Sequence, residues 1–375
     1  MTRAAPGGLI VGDHAIHPFG IASAERLARA LARAGVAPIS RDPDAPPTTG
    51  TVVVARGDHV LDEGLVRALV ARPGAVLVDD AGRAVAGHVA ATEASALVAA
   101  LAGAGAPPVG MDALDATTLA SAHNQALRKR ARPLLLALDG ARRRDVEHRL
   151  YDASYKGVTD LVTKYVWPWP AYHATRACAA LGLSPNLVTW VSLGFVIAAL
   201  VLFRQGAFLP GLACAWAMCF LDTVDGKLAR VTLTSSRFGN AFDHGIDLIH
   251  PPFWYLAWAA ALEDAGLAGP WHDAIVALVV GGYVVGRLQE GLFLWLFRLE
   301  LHVWRRLDSR FRLITARRNP NLLILSVAAV AGRPDLGFVA MAAWTALSLG
   351  FHFVRIAQAL VARRAGIASW LDGPA

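Results

Sequence analysis

The sequence predicts a two-domain protein, in which a soluble α/β domain precedes an all-α membrane domain of about six transmembrane helices. Three features predict this: an apolar composition, a change of pattern near residue 150, and long apolar stretches beyond it. Of the 375 residues, 55% are hydrophobic and only 17% are charged, and the mean hydropathy is +0.42. One ordinary soluble enzyme would be less apolar, so a membrane protein is expected.

Residues 1–149 are predicted to form the α/β domain. Short apolar runs such as "GTVVVA" and "GAVLVD" alternate with helical patterns such as "SAERLARALARAGV". This alternation is typical of βαβ units, so we expect a Rossmann-like domain. The N-terminus has no continuous apolar segment of signal-peptide length, which favours a cytosolic location for this domain.

Residues 187–375 are predicted to form the transmembrane domain. Most of the apolar stretches approach the ~20 residues that span a bilayer, although the fifth is short enough to be half of a hairpin. They lie at 187–206, 208–231, 240–262, 272–298, 320–333 and 336–362.

Basic residues predict the orientation. They concentrate between the second and third stretches, between the fourth and fifth, and after the sixth, whereas the loop after the third carries Glu263 and Asp264. The positive-inside rule places the basic loops in the cytoplasm. We therefore expect an integral protein of the inner (cytoplasmic) membrane, with the N-terminal domain and the active site facing the cytoplasm. The formal charge of +7 is explained by these loops, so no nucleic-acid partner is expected.

Residues 150–186 join the two domains. The segment mixes Lys156, Lys164 and Arg176 with Trp167 and Trp169. Basic and aromatic residues together are typical of a juxtamembrane helix in the headgroup layer of the bilayer, and a plain linker helix is the alternative.

Four carboxylates lie among the apolar stretches. Asp222 and Asp225 are three residues apart near the end of the second stretch, and Asp243 and Asp247 are four apart at the start of the third, so each pair shares a helix face. Two antiparallel helix ends would direct all four into one space. Ionised acids are tolerable there only beside cations or water, and oxygen ligands suit Mg²⁺ carrying substrate phosphate.

Two glycines and an arginine accompany the acids. Without side chains at Gly226 and Gly239, a nucleotide or a diphosphate can approach the helix backbone closely. Arg230 supplies a planar fork of donors for a phosphate.

In these residues the sequence resembles the CDP-alcohol phosphotransferases, integral membrane enzymes of phospholipid synthesis. The resemblance covers about residues 150–365 and includes "SPNLVTW" before the first stretch. The motif that carries it is Asp222-x2-Asp225-Gly226-x2-Ala229-Arg230-x8-Gly239-x3-Asp243-x3-Asp247.

The resemblance implies an activity: a phospho-alcohol group passes from a CDP-alcohol to an acceptor hydroxyl, and CMP is released. It implies that Asp247 is the base and that Mg²⁺ or Mn²⁺, two ions per site, is held by Asp222, Asp225, Asp243 and Asp247. A homodimer is also expected. The implied contacts of the CDP-alcohol are Asn186, Thr189, Gly226, Ala229, Arg230, Ser236 and Gly239. For Asn186 and Thr189, a helix N-terminal cap is an equally good interpretation.

The two substrates are left open. The donor could be CDP-diacylglycerol or a CDP-polyol, and Arg317 and Arg318 are candidates for an acceptor phosphate or are topology anchors. Arg287 and Glu290, within the fourth stretch, are intramembrane charges with two interpretations: they pair with each other, or they line the acceptor cavity. No chemistry is assigned to the three cysteines or to His244, His250 and His302.

The N-terminal domain resembles nucleotidyltransferases that some members of this family carry in fusion. Its first loop, "LIVGDHAIHPFGIAS", lacks the basic residues that would hold a triphosphate. Asp58, Asp79 and Asp80 could bind a metal or serve surface turns. We therefore favour a degenerate, noncatalytic domain. The alternatives are a bifunctional enzyme that makes its own CDP-alcohol and, with less support, an ion transporter with intramembrane carboxylates.

Overall fold

The computed structural model describes residues 5–42, 47, 50–103 and 105–373. These residues form two compact units. The first comprises the described residues up to 155 together with 230–233, and the second comprises 156–229 and 234–373. The α/β class predicted for the N-terminal region and the helical class predicted for the rest are both confirmed.

The first unit is built on a six-stranded sheet with the order β2-β1-β3-β6-β5-β7. The short strands β4 and β10 pair separately, as do β8 and β9. The strands are β1 (Gly7–Val11), β2 (Ile39–Ser40), β3 (Thr51–Arg56), β4 (His59–Leu61), β5 (Ala75–Val78), β6 (Ala84–Ala90), β7 (Asp112–Leu114), β8 (His123–Asn124), β9 (Lys129–Arg130) and β10 (Leu135–Ala137).

The sheet is mixed. Strand β1 runs parallel to β2 and β3, whereas β6 runs antiparallel to both of its neighbours, β3 and β5. Val52, Val54 and Leu9 are fully buried, because both faces of the sheet are covered. The helices of this region are α1 (Ser23–Arg33), α2 (Glu63–Val70), α3 (Ala94–Ala102), α4 (Ala116–Leu119) and α5 (Arg143–Ala153).

The second unit is helical. Each of the six predicted apolar stretches is one of its helices, with ends that agree to within three residues. A π-helical turn, Val162–Val166, precedes the first helix. The helices are α6 (Pro168–Ala180), α7 (Pro185–Arg204), α8 (Phe208–Val231), α9 (Arg237–Asp264), α10 (His272–Phe297), α11 (Arg306–Phe311), α12 (Arg318–Val330) and α13 (Pro334–Ala362).

Among the described residues, four helices are long and apolar enough to cross a membrane: α7, α8, α10 and α13. The core of the helical unit is aromatic, with Phe203 of α7 buried beside Trp254 and Trp258 of α9. Many other large apolar side chains of the four candidate helices are exposed, including Trp190, Ile197 and Leu288. Exposed apolar side chains on long helices are what a lipid environment accommodates, so the chain is a membrane protein.

Candidate active site

The four predicted acids lie where α8 ends and α9 begins. Asp222 and Asp225 lie in the last turns of α8, and Asp243 and Asp247 in the first turns of α9. The entry to α9 is defined locally, because the Ser236 hydroxyl accepts a hydrogen bond of 2.9 Å from the Gly239 N–H. This cap sets the start of α9 and therefore the face on which its acids lie.

Three of the four acids converge. One carboxylate oxygen from each of Asp222, Asp225 and Asp243 lies within 4.8 Å of the other two. Asp225 is only 3% exposed, and the Thr189 hydroxyl donates to its Oδ2 at 2.6 Å. Its Oδ1 is buried without a hydrogen-bond partner among the residues that the structure describes. A buried, unpaired carboxylate oxygen is costly, so this donor set fits a cation that binds oxygen ligands.

Arg318 links the fourth acid to this cluster. Its Nη2 donates to Asp222 Oδ2 at 2.5 Å, and its Nη1 donates to Asp247 Oδ1. The guanidinium thus offsets part of the negative charge of the four acids. Sequence reasoning offered Arg318 for an acceptor phosphate, whereas in the structure it is a partner of two of the acids.

Two buried asparagines that follow Arg318 fix the start of α12. The Asn319 amide donates to Asp160 Oδ1 at 2.9 Å, and the Asn321 amide donates to the Tyr255 hydroxyl at 3.0 Å. Burial by itself would raise the pKa of Asp160, but the Arg312 charge and several hydrogen bonds outweigh it, so the pKa lies below its usual value. Asp160 is therefore ionised at neutral pH, which strengthens its bond to Asn319.

Three of the predicted CDP-alcohol contacts lie together. Gly239 lies against Asn186 and Ser236, since a Cβ added there would come within 2.5 Å of Asn186 Oδ1 and 3.1 Å of Ser236 Oγ. The cap of α7 is Ser184, whose hydroxyl accepts from the Leu187 N–H, so neither Asn186 nor Thr189 has that role.

Of the other predicted contacts, Thr189 lies on α7 and three lie along α8. Gly226 and Ala229 lie in its last two turns, and the Ala229 carbonyl accepts a 3.0 Å hydrogen bond from the Thr234 N–H. Arg230 groups with the first unit, where its Nε donates to the Ser154 carbonyl at 3.1 Å. That contact occupies one of the donors of its guanidinium.

The close packing at Gly239 yields a testable prediction. In a Gly239→Ala variant the new methyl group must displace the Asn186 amide. If Asn186 contacts the donor, we expect the KM for the CDP-alcohol to rise roughly three- to tenfold, the effect of losing one hydrogen bond. Steady-state kinetics with varied CDP-alcohol measures this.

Gly245→Ala is the matched control, because it lies on the same helix and its added Cβ would meet nothing within 4 Å in the described part of the chain outside its own helix backbone. Its KM should stay unchanged. Equal KM values for the two variants would contradict the role assigned to Asn186.

A second polar cluster lies between α10, α12 and α13. Glu290 Oε1 accepts from Arg317 Nε at 3.1 Å and lies 3.1 Å from His302 Nε2. Arg287 pairs with the same carboxylate at 3.3 Å, as one of the two sequence-based interpretations expected. With Tyr283 and His352, Arg287 and Glu290 line a small cavity that is partly open to solvent.

His352 is the member of this cluster that sequence reasoning missed. It is only 2% exposed, and neither ring nitrogen has a hydrogen-bond partner among the described residues. One potential metal-ligand atom from each of His352, Glu290 and His302 lies within 4.8 Å of the other two. The signal in the sequence was a histidine and an arginine, His352 and Arg355, inside an otherwise apolar stretch.

In the first unit, the acids considered as metal ligands have other partners. Asp58 contacts Arg56 and His59, each at 2.6 Å. Asp79 accepts from the Ala81 and Arg83 N–H groups, both at 2.9 Å, and thereby closes a turn. The turn interpretation therefore describes Asp79. Asp80 pairs with Arg132 on the surface.

Apolar helices that bring three carboxylates together at the junction of α8 and α9 define a membrane protein with a polar site at converging helix ends. Residues 182–306 match the family model described as CDP-alcohol phosphatidyltransferase. Residues 182–306 are therefore similar to this transferase family, as the motif predicted.

Curated relatives match between 30% and 34% of the chain. It is 29% identical over 134 residues to cholinephosphotransferase 1 of Mus musculus, which covers 34% of this chain and 33% of the relative. It is 36% identical over 119 residues to phosphatidylinositol phosphate synthase of Mycobacterium marinum, covering 30% and 51%. It is 33% identical over 121 residues to archaetidylinositol phosphate synthase of Pyrococcus horikoshii, covering 31% and 58%. The chain thus spans 33% to 58% of the length of these relatives.

Proposed function

We propose that this protein is a membrane phosphotransferase of phospholipid synthesis that moves a phospho-alcohol group from a CDP-alcohol to an acceptor hydroxyl. The observation that carries the proposal is the convergence of Asp222, Asp225 and Asp243 within a segment that matches the family.

We propose that Asp222, Asp225, Asp243 and Asp247 hold Mg²⁺ or Mn²⁺, two ions per site. When bound, the divalent ions neutralise charge on the diphosphate of the donor. The unpaired Oδ1 of Asp225 supports this assignment, because it is an oxygen ligand without a protein partner in the described part of the chain.

The chain's own residues would perform the proton transfer. Asp247 accepts the proton of the acceptor hydroxyl as its oxygen attacks the β-phosphorus of the CDP-alcohol. A new P–O bond forms to the acceptor, the bond from the β-phosphorus to the bridging oxygen breaks, and CMP leaves with that oxygen. Asn186, Thr189, Gly226, Ala229, Arg230, Ser236 and Gly239 are the proposed contacts of the CDP-alcohol.

Arg317 and Arg318 are the proposed ligands of an acceptor phosphate. In the structure both arginines pair with carboxylates: Arg317 with Glu290, and Arg318 with Asp222 and Asp247. A phosphate acceptor would therefore exchange one anionic partner of an arginine for another, at little cost in charge. The relatives include a cholinephosphotransferase and a phosphatidylinositol phosphate synthase, so CDP-choline belongs in the test beside CDP-diacylglycerol and a CDP-polyol.

For topology, we propose six spanning helices, with α9 and α12 added to the four candidates. The site and the N-terminal unit would face the cytoplasm from the inner membrane, and the protein would be a homodimer. Residues 150–186 would lie in the headgroup layer, an assignment that the exposure of Tyr165 at 64% and Trp169 at 73% supports.

We propose that the first unit, predicted as residues 1–149, is a degenerate, noncatalytic nucleotidyltransferase-like domain. The parallel strands β2, β1 and β3 with α1 support a Rossmann-like relationship. At the start of α1, where such folds bind phosphate, Asp13 Oδ1 accepts from the Ala24 N–H at 3.1 Å and from the Ser23 hydroxyl at 2.6 Å. This carboxylate occupies helix donors that a triphosphate would need, and it would repel one.

The test is release of CMP by the purified full chain in detergent with Mg²⁺ or Mn²⁺. CDP-diacylglycerol, CDP-choline or a CDP-polyol is supplied with each of a panel of lipid and polyol-phosphate acceptors. We expect CMP from at least one combination, and the mass of the product identifies its donor and acceptor. An Asp225→Asn protein is the negative control. Absence of CMP from every pair would contradict the proposed function.

A second arm of the same assay supplies CTP with a polyol phosphate instead. We expect no pyrophosphate, since Asp13 occupies the start of α1. Pyrophosphate formation would contradict the noncatalytic assignment and indicate a bifunctional enzyme.

A further inference from the structure

Two consecutive prolines interrupt the hydrogen bonding of α9 just after the proposed base. Pro251 and Pro252 lie inside this helix, which continues to Asp264. A proline has no backbone N–H, so the carbonyl four residues before it loses its donor within the helix. The two carbonyls concerned belong to Asp247 and Leu248.

A tyrosine from the neighbouring helix α10 supplies a donor at this point. The Tyr283 hydroxyl lies 2.9 Å from the Leu248 carbonyl oxygen and 3.4 Å from that of Asp247. A phenol has one hydrogen to donate, so the shorter contact to Leu248 is the principal bond. Leu248 is exposed on the surface of the helix bundle. Lipid offers no hydrogen bond to an exposed carbonyl, so in a bilayer this contact would remove the cost of leaving the Leu248 carbonyl unpaired.

The contact also bears on the direction of the Asp247 side chain. Helices kink most readily at prolines, and Asp247 lies one turn before Pro251. Tyr283 contacts the backbone of this turn through the Leu248 carbonyl, while Arg318 contacts the Asp247 carboxylate. The same tyrosine lines the cavity that contains Glu290 and His352, so the turn carrying Asp247 is tied to the wall of that cavity.

We infer that Tyr283 is a positioning residue for Asp247: its hydroxyl replaces the donor that Pro252 cannot supply and thereby fixes the helix turn that directs the carboxylate. The inference rests on the proposed function, in which Asp247 accepts the acceptor proton. Tyr283 acts on the proton-transfer step, because a base must lie within hydrogen-bond reach of its proton. The proposed donor contacts lie elsewhere, on α7, α8 and the start of α9.

The experiment compares single and double variants of the full chain. Tyr283→Phe removes only the hydroxyl, and we expect kcat to fall by at least about tenfold while the KM for the CDP-alcohol stays unchanged. Misplacing a reacting group by 1 Å can cost on the order of 10²-fold. Adding Pro252→Ala gives residue 252 a backbone N–H that can donate to the Leu248 carbonyl. The double variant should therefore recover most of kcat. Adding Pro251→Ala instead returns a donor to the Asp247 carbonyl and should restore less.

Tyr165→Phe is the control, because it removes the hydroxyl of an exposed tyrosine outside the site, and its kcat should equal that of the wild type. Two outcomes would overturn the inference: an unchanged kcat in Tyr283→Phe, whatever its KM, or no recovery of kcat in a Pro252→Ala double variant of wild-type Tm. Should the double variant not fold, the split between kcat and KM in Tyr283→Phe decides. Failure of the proposed function is distinguishable, because the wild type itself would then release no CMP.

Discussion

Replacing Asp243 with asparagine should abolish most of the phosphotransfer while the protein still folds. The substitution keeps the size of the side chain and removes one negative charge from a group of three carboxylates within 4.8 Å of one another. A neutral amide is a weaker ligand for a hard cation than a carboxylate. Removing a group that only hydrogen-bonds to a metal ligand already lowers metal affinity or activity by about 10- to 100-fold. Because Asp243 is a proposed ligand itself, we expect kcat/KM to fall by more than about 100-fold.

The same cluster predicts metal dependence. EDTA should abolish activity of the wild type, and added Mg²⁺ or Mn²⁺ should restore it. Calorimetric titration with Mn²⁺ gives a readout separate from activity, in which Asp222→Asn and Asp243→Asn should both bind more weakly. Asp264→Asn is the matched control, since this acid ends the same helix α9 but is exposed and paired with Arg204. Full activity in EDTA would refute the assignment of a metal site.

Replacing Asp247 with asparagine should lower kcat by roughly 10²-fold or more, the usual scale of general-base catalysis, because an amide cannot accept the hydroxyl proton. Arg318 keeps Asp222 as a partner in this variant, so the site should retain its shape. We therefore expect detectable binding of the CDP-alcohol by equilibrium dialysis with a radiolabelled donor.

Two results would separate the roles of Asp247. Loss of both turnover and donor binding would make it a metal ligand whose removal disrupts the site as a whole. Turnover at the wild-type rate would make it a structural acid. Only reduced turnover with preserved binding agrees with its role as the base.

Much of the helical unit could be predicted because the information is local. The length of an apolar stretch and the spacing of its acids depend only on neighbours in the chain, and all six stretches are helices. The three-residue and four-residue spacings placed each pair of acids on one helix face, and three of the four acids lie together. The family followed from the same spacing and is supported by the match over residues 182–306. The roles of the individual residues stay predictions.

The sheet of the first unit was less predictable. Alternating apolar and helical patterns indicate an α/β class but carry no strand direction, and β6 lies antiparallel between β3 and β5. Strand direction depends on which connections pack across the sheet, and that is a property of the whole domain.

By itself, the sequence determined where the helices lie and that they suit a membrane. It also determined that one pair of acids lies near the end of α8 and another near the start of α9. Only the tertiary structure decided which charges meet: Arg318 with Asp222 and Asp247, Arg317 with Glu290. Those partners lie 27 to 96 residues apart along the chain. Helical periodicity relates residues three or four positions apart, whereas distant charges become neighbours only through the packing of whole helices.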